Sequence, residues 1–208
     1  MSNNKRAGVL LVVSGPSGAG KGTVCTALRK VRPDLKLSIS VTTRQPRQGE
    51  VDGVHYFFKT VEEFNTMRQQ GEFLEWAKVY DNFYGTPISF VKKTLEEGSD
   101  MLLEIDIQGA LNVKKLIPEA VLVFIVPPSI EILHKRLADR GTETPESLAK
   151  RCAAATAELD YMEHYDYLVI NDQIDRATED VAMILAAEAR RLTRNAHAHK
   201  MLLEGEEL

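Results

Sequence analysis

The sequence predicts an α/β fold in which a parallel β-sheet lies between two layers of helices. Four short apolar runs, most of them rich in β-branched residues, have the composition of strands that are buried on both faces. They cover residues 9–15, 101–107, 121–128 and 167–171. Helical patterns stand between these runs, and strands that alternate with helices indicate parallel pairing with right-handed crossovers.

The helices are predicted from apolar spacing and from one cap residue. The first has Val24, Leu28 and Val31 on one face. Ser129 is a suitable N-cap for another, and a third carries an apolar stripe with steps of three and four residues. The members of that stripe are Leu148, Cys152, Ala155, Leu159 and Met162. A last helix is expected from about Asp175 to the acidic end of the chain.

The composition is that of a globular protein. Of the 208 residues 44 % are hydrophobic and 27 % charged, which excludes general disorder. The net charge of −4 argues against nucleic acid as a partner, and the apolar run at Val9 is too short to span a membrane. The two cysteines, Cys25 and Cys152, suit a reducing compartment. We therefore expect a cytoplasmic protein that acts on small molecules, with a homo-oligomer left open by the arginines near the chain end.

A phosphate-binding loop follows the first strand and opens the first helix. It consists of Gly15, Pro16, Ser17, Gly18, Ala19, Gly20, Lys21, Gly22 and Thr23. Glycines let main-chain N–H groups converge on an anion, and Lys21 adds a full positive charge. Gly22 stands where this pattern normally has Ser or Thr, so Thr23 or water is expected on the Mg²⁺ side. The alternative, a glycine-rich turn with a solvated lysine, fits the strand and helix around it less well.

Two segments interrupt the alternation of strands and helices. Residues 42–98 combine turn signals with many aromatic residues, which predicts a small mixed α/β insertion. The polar stretch 139–146 is irregular and joins two helices. The resulting division is a core of residues 1–41, 99–138 and 156–208, an insertion of residues 42–98 and a further segment of residues 139–155.

Two arginines within the insertion predict a second anion site. Arg44 and Arg47 lie three residues apart on a loop made stiff by proline and glycine, and paired guanidinium groups suit a phosphate dianion. Three nearby basic residues, Arg29, Lys30 and Lys36, are more simply explained as solvated surface charges.

Several motifs in this region and beyond it resemble the guanylate kinase family, and its bacterial members in particular. They are residues 40–56, 73–77, 82–87, 103–109, 140–144 and 170–172, and the resemblance extends over about residues 7–195. It implies a P-loop fold with an inserted nucleoside-monophosphate-binding subdomain, residues 42–98, and a lid, residues 139–155. It also implies transfer of the γ-phosphoryl group of ATP to GMP, with dGMP as a further acceptor and Mg²⁺ as cofactor.

The resemblance also implies roles for individual residues. The GMP phosphate is expected against Arg44, Arg47, Tyr56 and Tyr84, and guanine against Ser40, Glu75 and Thr86 with Asp106 nearby. Lys21, Arg44, Arg140 and Arg151 are the expected catalytic residues, and Asn171 is expected near adenine. Asp106 suits guanine or the waters of Mg²⁺, and the sequence does not choose between them. Arg136 is expected in a salt bridge at a helix end.

The chemistry of Glu75 supports guanine independently of the resemblance. Guanine has two adjacent donors, N1–H and the 2-amino group, which one carboxylate accepts together. Adenine has an unprotonated N1 there and would leave a buried carboxylate facing a lone pair, which a polar pocket rejects strongly. The other explanation of Glu75 is a surface acid at a strand edge.

Two further functions remain open at this stage. One is another nucleoside monophosphate kinase, because Gly-Lys-Gly-Thr also occurs in adenylate kinases. The other is a non-catalytic, peptide-binding relative, although such modules typically lose parts of the phosphate loop that this sequence retains. For the kinase, transfer needs no general base, because a phosphate oxygen is already ionised, and the insertion and the lid are expected to close over both nucleotides.

Overall fold

The computed structural model describes residues 6–79, 81–139 and 145–205. Its strands are β1 (Leu10–Ser14), β2 (Lys36–Leu37), β3 (Val41–Thr42), β4 (Phe57–Phe58), β5 (Phe73–Val79), β6 (Asn82–Pro87), β7 (Met101–Glu104), β8 (Val121–Val126) and β9 (Tyr167–Ile170). Its α-helices are α1 (Lys21–Val31), α2 (Val61–Gln69), α3 (Ile88–Glu96), α4 (Ile107–Leu116), α5 (Ile130–Ala138), α6 (Pro145–Ala157), α7 (Ile174–Glu188) and α8 (Ala196–Glu204). Two 3₁₀-helices cover Glu158–His164 and Leu192–Arg194.

The predicted parallel core is confirmed. Five strands pair in the order β2-β7-β1-β8-β9, and every pairing is parallel. Alternate residues of β1 bury against opposite layers: Leu11 and Val13 pack with α1 and α7, and Leu10 and Val12 pack with α3 and α4. A strand covered on both faces has no polar side, and this is why its sequence is a continuous apolar run.

The insertion forms a second sheet of four strands in the order β4-β3-β6-β5. Helix α2 covers it through Phe64, which is fully buried and stacks on the rings of Phe73 and Phe83 at centroid distances of 4.6 and 5.4 Å. Thr60 and Glu63 form a capping box that starts this helix. Gly85 is required under the Phe73 ring, because a Cβ there would lie 2.8 Å from it. The aromatic residues of the segment therefore build its small core.

Two helix predictions need correction. The stripe predicted as one helix divides, because α6 ends at Ala157 and the chain continues as the 3₁₀-helix. Its first three members pack on α5, and its last two pack beside Phe124. The last helix also breaks after α7. There the buried side chain of Arg194 donates to the main-chain oxygens of Gly8 and Glu119, at 3.4 and 2.6 Å. This arginine therefore packs on the core of its own chain.

None of the helices within the described ranges combines the length and the apolar character that crossing a membrane requires.

Candidate active site

A cleft of about 250 Å³ opens where β1 and β7 end, facing the second sheet. Open parallel sheets place ligands at this edge, beyond the carboxyl ends of their strands. Residues from the phosphate loop, the insertion, the end of β7 and the 3₁₀-helix meet here. They are Gly15, Ser17, Lys21, Ser40, Tyr56, Glu75, Val79, Tyr84, Gly85, Glu104, Ile105, Asp106, Ile107 and Glu158.

The phosphate loop has the geometry that its glycines predict. Gly15, Gly18 and Gly20 all have positive φ, and a Cβ on Gly15 would lie 2.2 Å from the carbonyl oxygen of Ile125 in β8. The loop therefore passes too close to its neighbour for any side chain at this position. The ammonium group of Lys21 donates to the carbonyl oxygens of Gly15 and Pro16, at 2.6 and 3.1 Å. The lysine thus lies across the cradle that it is expected to serve.

A second cavity, of about 430 Å³, lies on the other side of the loop. The amide nitrogen of Asn171 donates to the carbonyl oxygen of Ala19 at 2.8 Å, whereas its buried Oδ1 has no hydrogen-bond partner among the described residues. Arg136 donates to the main-chain oxygens of Asn171 and Ala19, at 3.0 and 3.4 Å. The expected salt bridge is therefore replaced by contacts that join α5 to the loop. Thr23 is exposed and lines this second cavity rather than the cleft.

Glu75 lies buried on β5, directly opposite Thr86 on β6. The Thr86 hydroxyl donates to Oε1 of Glu75 at 2.6 Å. Burial raises the pKa of Glu75 to about 7, with a smaller contribution in the same direction from the charge of Asp106. The carboxylate is thus poorly solvated, which is the environment in which two more donors would be most stabilising. The alternative of an exposed surface acid is wrong.

Asp106 is the N-cap of α4, where its Oδ1 accepts from the main-chain N–H of Gly109 at 2.9 Å. A Cβ on Gly109 would lie 2.7 Å from Oε2 of Glu75. The absence of a side chain at this position therefore lets the carboxylate lie against the first turn of the helix. Sequence reasoning did not select Gly109, although a glycine inside a helix usually marks a close approach.

The arginine loop brings some of its predicted residues together. Arg44 forms two hydrogen bonds with the Glu50 carboxylate, at 3.0 and 2.9 Å, and these hold the pKa of Arg44 above its usual value. Its guanidinium lies 5.5 Å from the centroid of the Tyr56 ring, and Tyr84 packs edge-on against Tyr56 at 6.0 Å. Arg47 is exposed at the rim, and its main-chain N–H donates to Glu50 at 2.7 Å. Glu50 thus organises the loop.

Two carboxylates in the cleft were not predicted as site residues. Glu104 ends β7 beside the phosphate loop, where a Cβ on Gly22 would lie 3.2 Å from its Oε1. Partial desolvation raises the pKa of Glu104, and the charge of Lys21 opposes this. Glu158, in the 3₁₀-helix, accepts from the main-chain N–H of Ser17 at 3.1 Å. Neither contact has a local sequence signal, since the partners are far apart in the chain.

The predicted lid arginines are in part described. Arg151 lies on α6 and donates from Nη2 to the hydroxyl of Ser17 at 3.1 Å. Arg140 lies outside the described residues.

The chain is similar to known proteins along most of its length. The family model described as guanylate kinase matches residues 7–188. The chain belongs to the guanylate kinase family. It is 57 % identical over 200 residues to a guanylate kinase of Caldanaerobacter subterraneus subsp. tengcongensis, covering 96 % of this chain and 97 % of that protein. It is 47 % identical to a guanylate kinase of Halalkalibacterium halodurans, with 97 % and 99 % covered.

A solved structure of a family member has the same fold. The crystal structure of guanylate kinase from Anaplasma phagocytophilum superposes with a TM-score of 0.81 at 34 % identity, covering 97 % of this chain and 96 % of that one. The family and the P-loop fold that the motifs predicted are therefore confirmed.

Proposed function

We propose that this guanylate kinase family member transfers the γ-phosphoryl group of ATP to GMP, giving ADP and GDP. The observation that carries the proposal is that Lys21, the charged residue of the phosphate loop, and Glu75, the guanine-reading residue, line one cleft. A donor and an acceptor bound at these two residues would meet with their phosphates facing each other.

The acceptor side recognises the base and the phosphate separately. Glu75 in its ionised form accepts from N1–H and the 2-amino group of guanine, and Ser40 and Thr86 complete the base pocket. Thr86 contributes by holding one oxygen of Glu75. Arg44 faces the GMP phosphate together with the hydroxyls of Tyr56 and Tyr84, and Arg47 reaches it from the rim. These are charge-assisted contacts, the strongest class for a phosphate.

The donor side uses the Lys21 ammonium and main-chain N–H groups of residues 15–23 to hold the ATP phosphates, except at Pro16, which has no N–H, and at Ser17, whose N–H donates to Glu158. Asn171 has an unused buried Oδ1 beside the second cavity, which suits the 6-amino group of adenine. Transfer then needs alignment and charge neutralisation, because the attacking oxygen of GMP is already ionised. Lys21, Arg44, Arg140 and Arg151 supply the positive charge around the moving phosphoryl group.

The residues in the cleft fit a magnesium ion that arrives with ATP. Glu104 and Asp106 present carboxylate oxygens, the donors that Mg²⁺ prefers, and the missing side chain of Gly22 leaves room for the longer arm of Glu104. We assign these two residues to the metal side, in place of Thr23, which faces the second cavity. When bound, Mg²⁺ neutralises phosphate charge. Glu104 and Asp106 would hold its waters.

Closure of the cleft excludes water from the transfer. We propose that residues 42–98 and the lid, residues 139–155, move over the core when both nucleotides are bound. Small-angle scattering with GMP and a non-hydrolysable ATP analogue together should show compaction, and unchanged dimensions would contradict the closure. Both cysteines are unpaired, which suits a reducing compartment. We therefore propose that the protein acts on its small substrates in the cytoplasm.

The function is tested by coupled ADP release with GMP, dGMP, AMP and UMP as acceptors. We expect turnover with GMP and dGMP and little with AMP or UMP. Strong activity with AMP would replace the guanine assignment by an adenylate kinase. Lys21→Ala should abolish turnover, whereas intact turnover in this variant would refute the role of the phosphate loop. A protein that binds a peptide but turns over no acceptor would be the non-catalytic relative.

A further inference from the structure

Ser17 in the phosphate loop is held from two sides by one helical segment. Its hydroxyl accepts from Nη2 of Arg151 at 3.1 Å, and its main-chain N–H donates to Oε2 of Glu158 at 3.1 Å. Arg151 lies on α6 and Glu158 begins the 3₁₀-helix that continues it. Seven residues separate the two side chains, which is about two helical turns, so both face the loop.

The contact is long-range and partly enclosed. Ser17 and Glu158 are 141 positions apart, and the bond joins the loop after β1 to the segment before β9. The Glu158 side chain is half-buried at the wall of the cleft. Hydrogen bonds to an ionised acceptor are stronger than neutral ones, and partial exclusion of water strengthens this one further. The bond therefore fixes the phosphate loop to α6 and the 3₁₀-helix that continues it. We call this bond the joint and these two helices the lid helix.

A direct contact of Glu158 with substrate is unfavourable. The cleft already contains the carboxylates of Glu75, Glu104 and Asp106. The phosphates of two nucleotides would add more negative charge, which repels a carboxylate. The carboxylate of Glu158 is therefore better explained by a contact within the protein than by a contact with substrate. It accepts from the main-chain N–H of Ser17, the same residue whose hydroxyl accepts from the guanidinium of Arg151.

We propose that Glu158 is a positioning residue for the phosphoryl transfer assigned above, and that it acts through Arg151. By holding the N–H of Ser17, it sets the distance between the lid helix and the phosphate loop. Arg151 is then directed at the loop, where the donor phosphates lie. The proposal rests on the proposed function, since it concerns the alignment of Arg151 for that transfer.

The experiment compares Glu158→Ala and Glu158→Gln with Glu163→Ala, a matched control at an exposed position of the same 3₁₀-helix. Loss of alignment should lower kcat by about tenfold or more in Glu158→Ala, with KM for GMP and the melting temperature unchanged. Glu158→Gln keeps an oxygen that accepts from Ser17, so its kcat should stay within about threefold of the parent value. Glu163→Ala should match the parent.

A double variant tests whether Glu158 acts through Arg151. Adding Glu158→Ala to Arg151→Ala should cause no further loss of kcat. Full activity of Glu158→Ala, a Gln variant as impaired as the Ala variant, or additive losses in the double variant would each overturn the proposal. If Glu158→Ala fails to fold, Glu158→Asp keeps the charge but draws the carboxylate back from the main-chain N–H of Ser17, and it should show the same selective loss of kcat. An unchanged kcat in Glu158→Asp would then overturn the proposal.

Hydrogen exchange separates this inference from the proposed function. In the protein without nucleotide, Glu158→Ala should speed exchange in peptides that contain Ser17, and Glu163→Ala should not. Unchanged exchange would overturn the joint even if GMP is phosphorylated normally. Faster exchange in a protein that phosphorylates no nucleotide would refute the function and leave the joint standing.

Discussion

The hydroxyl of Thr86 donates to Oε1 of Glu75 at 2.6 Å, across the register position where these two residues face each other on β6 and β5. Thr86 thus supplies neutral donors to a carboxylate that is almost fully buried. These donors do not offset the loss of solvent, and burial raises the pKa of Glu75 to about 7. Two further donors from guanine would stabilise the ionised carboxylate of Glu75. The free energy that burial of this group costs the free protein would then be recovered on binding.

GMP affinity should fall as the pH is lowered through 7. The Glu75 carboxyl, with its pKa raised to about 7, is protonated below this value and then cannot accept from both guanine donors. The expected loss approaches about tenfold per pH unit. Calorimetric titration of GMP between pH 5.5 and 8.5, values chosen to bracket about 7, measures it. Glu75→Gln is the control, because any pH dependence that remains in this variant comes from the ionisation of GMP itself. An equally steep dependence in Glu75→Gln would show that the effect does not come from Glu75.

Glu75→Gln should make the protein more stable above neutral pH while weakening GMP binding. The pKa of Glu75 in the folded protein, about 7, is higher than its ordinary value of 4.5. The contribution of this carboxyl group to the free energy of unfolding is therefore fully present below pH 4.5 and is lost as the pH rises through 7. Glutamine cannot ionise and still accepts from Thr86. We expect a gain of about 2 kcal/mol at alkaline pH that disappears in mild acid. Urea unfolding at both pH values tests it, and a destabilised variant at alkaline pH would contradict it.

Gly109→Ala should impair GMP recognition without destabilising the fold. The new Cβ would lie 2.7 Å from Oε2 of Glu75 and must displace that carboxylate. Alanine also favours the helix by about 1 kcal/mol relative to glycine, which offsets part of the strain. We expect KM for GMP to rise about tenfold, with KM for ATP unchanged. Gln108→Ala, at an exposed position of the same helix, is the matched control. Equal KM values for GMP would show that Glu75 tolerates the contact.

Gly22→Ser should weaken the use of Mg²⁺, and Glu104→Asp in the same chain should restore it. The serine Cβ would approach Oε1 of Glu104 at 3.2 Å, so the longer carboxylate has to move, whereas aspartate leaves room. Binding of Mn²⁺ in the presence of ADP, followed by electron paramagnetic resonance, measures the ion without turnover. Tighter binding in Gly22→Ser alone would contradict the complementary fit of these two residues.

Local patterns predicted the parts of this molecule whose function depends on neighbours in the chain. The phosphate loop was recognisable because its glycines and Lys21 are contiguous, and the β1 run because both of its faces are buried. Arg44 was recognisable from its pairing with Arg47 on a stiff loop, and the family resemblance added Glu75. Gly109 and Glu158 were missed because each matters through a partner 34 or 141 positions away, Glu75 or Ser17.

Arg136 illustrates a second limit of sequence reasoning. A basic residue near a helix end is usually a solvated or paired charge, and here that expectation was wrong. The guanidinium instead donates to main-chain oxygens of Ala19 and Asn171. Every residue has a main-chain oxygen and nearly every residue a main-chain N–H, so no sequence pattern reports contacts with these groups. For the same reason the sequence does not show that the main-chain N–H of Ser17 donates to Glu158.

The two cysteines differ so much in setting that one of them offers a selective attachment point for a spectroscopic probe. Cys25 is buried under the phosphate loop, and burial raises its pKa well above the usual value, which suppresses the reactive thiolate. Cys152 is half-buried on α6, next to Arg151, and unpaired. A dye coupled through maleimide chemistry would therefore report on the lid helix alone. Its fluorescence could test in real time whether the lid closes over the bound nucleotides, with no cysteine removed.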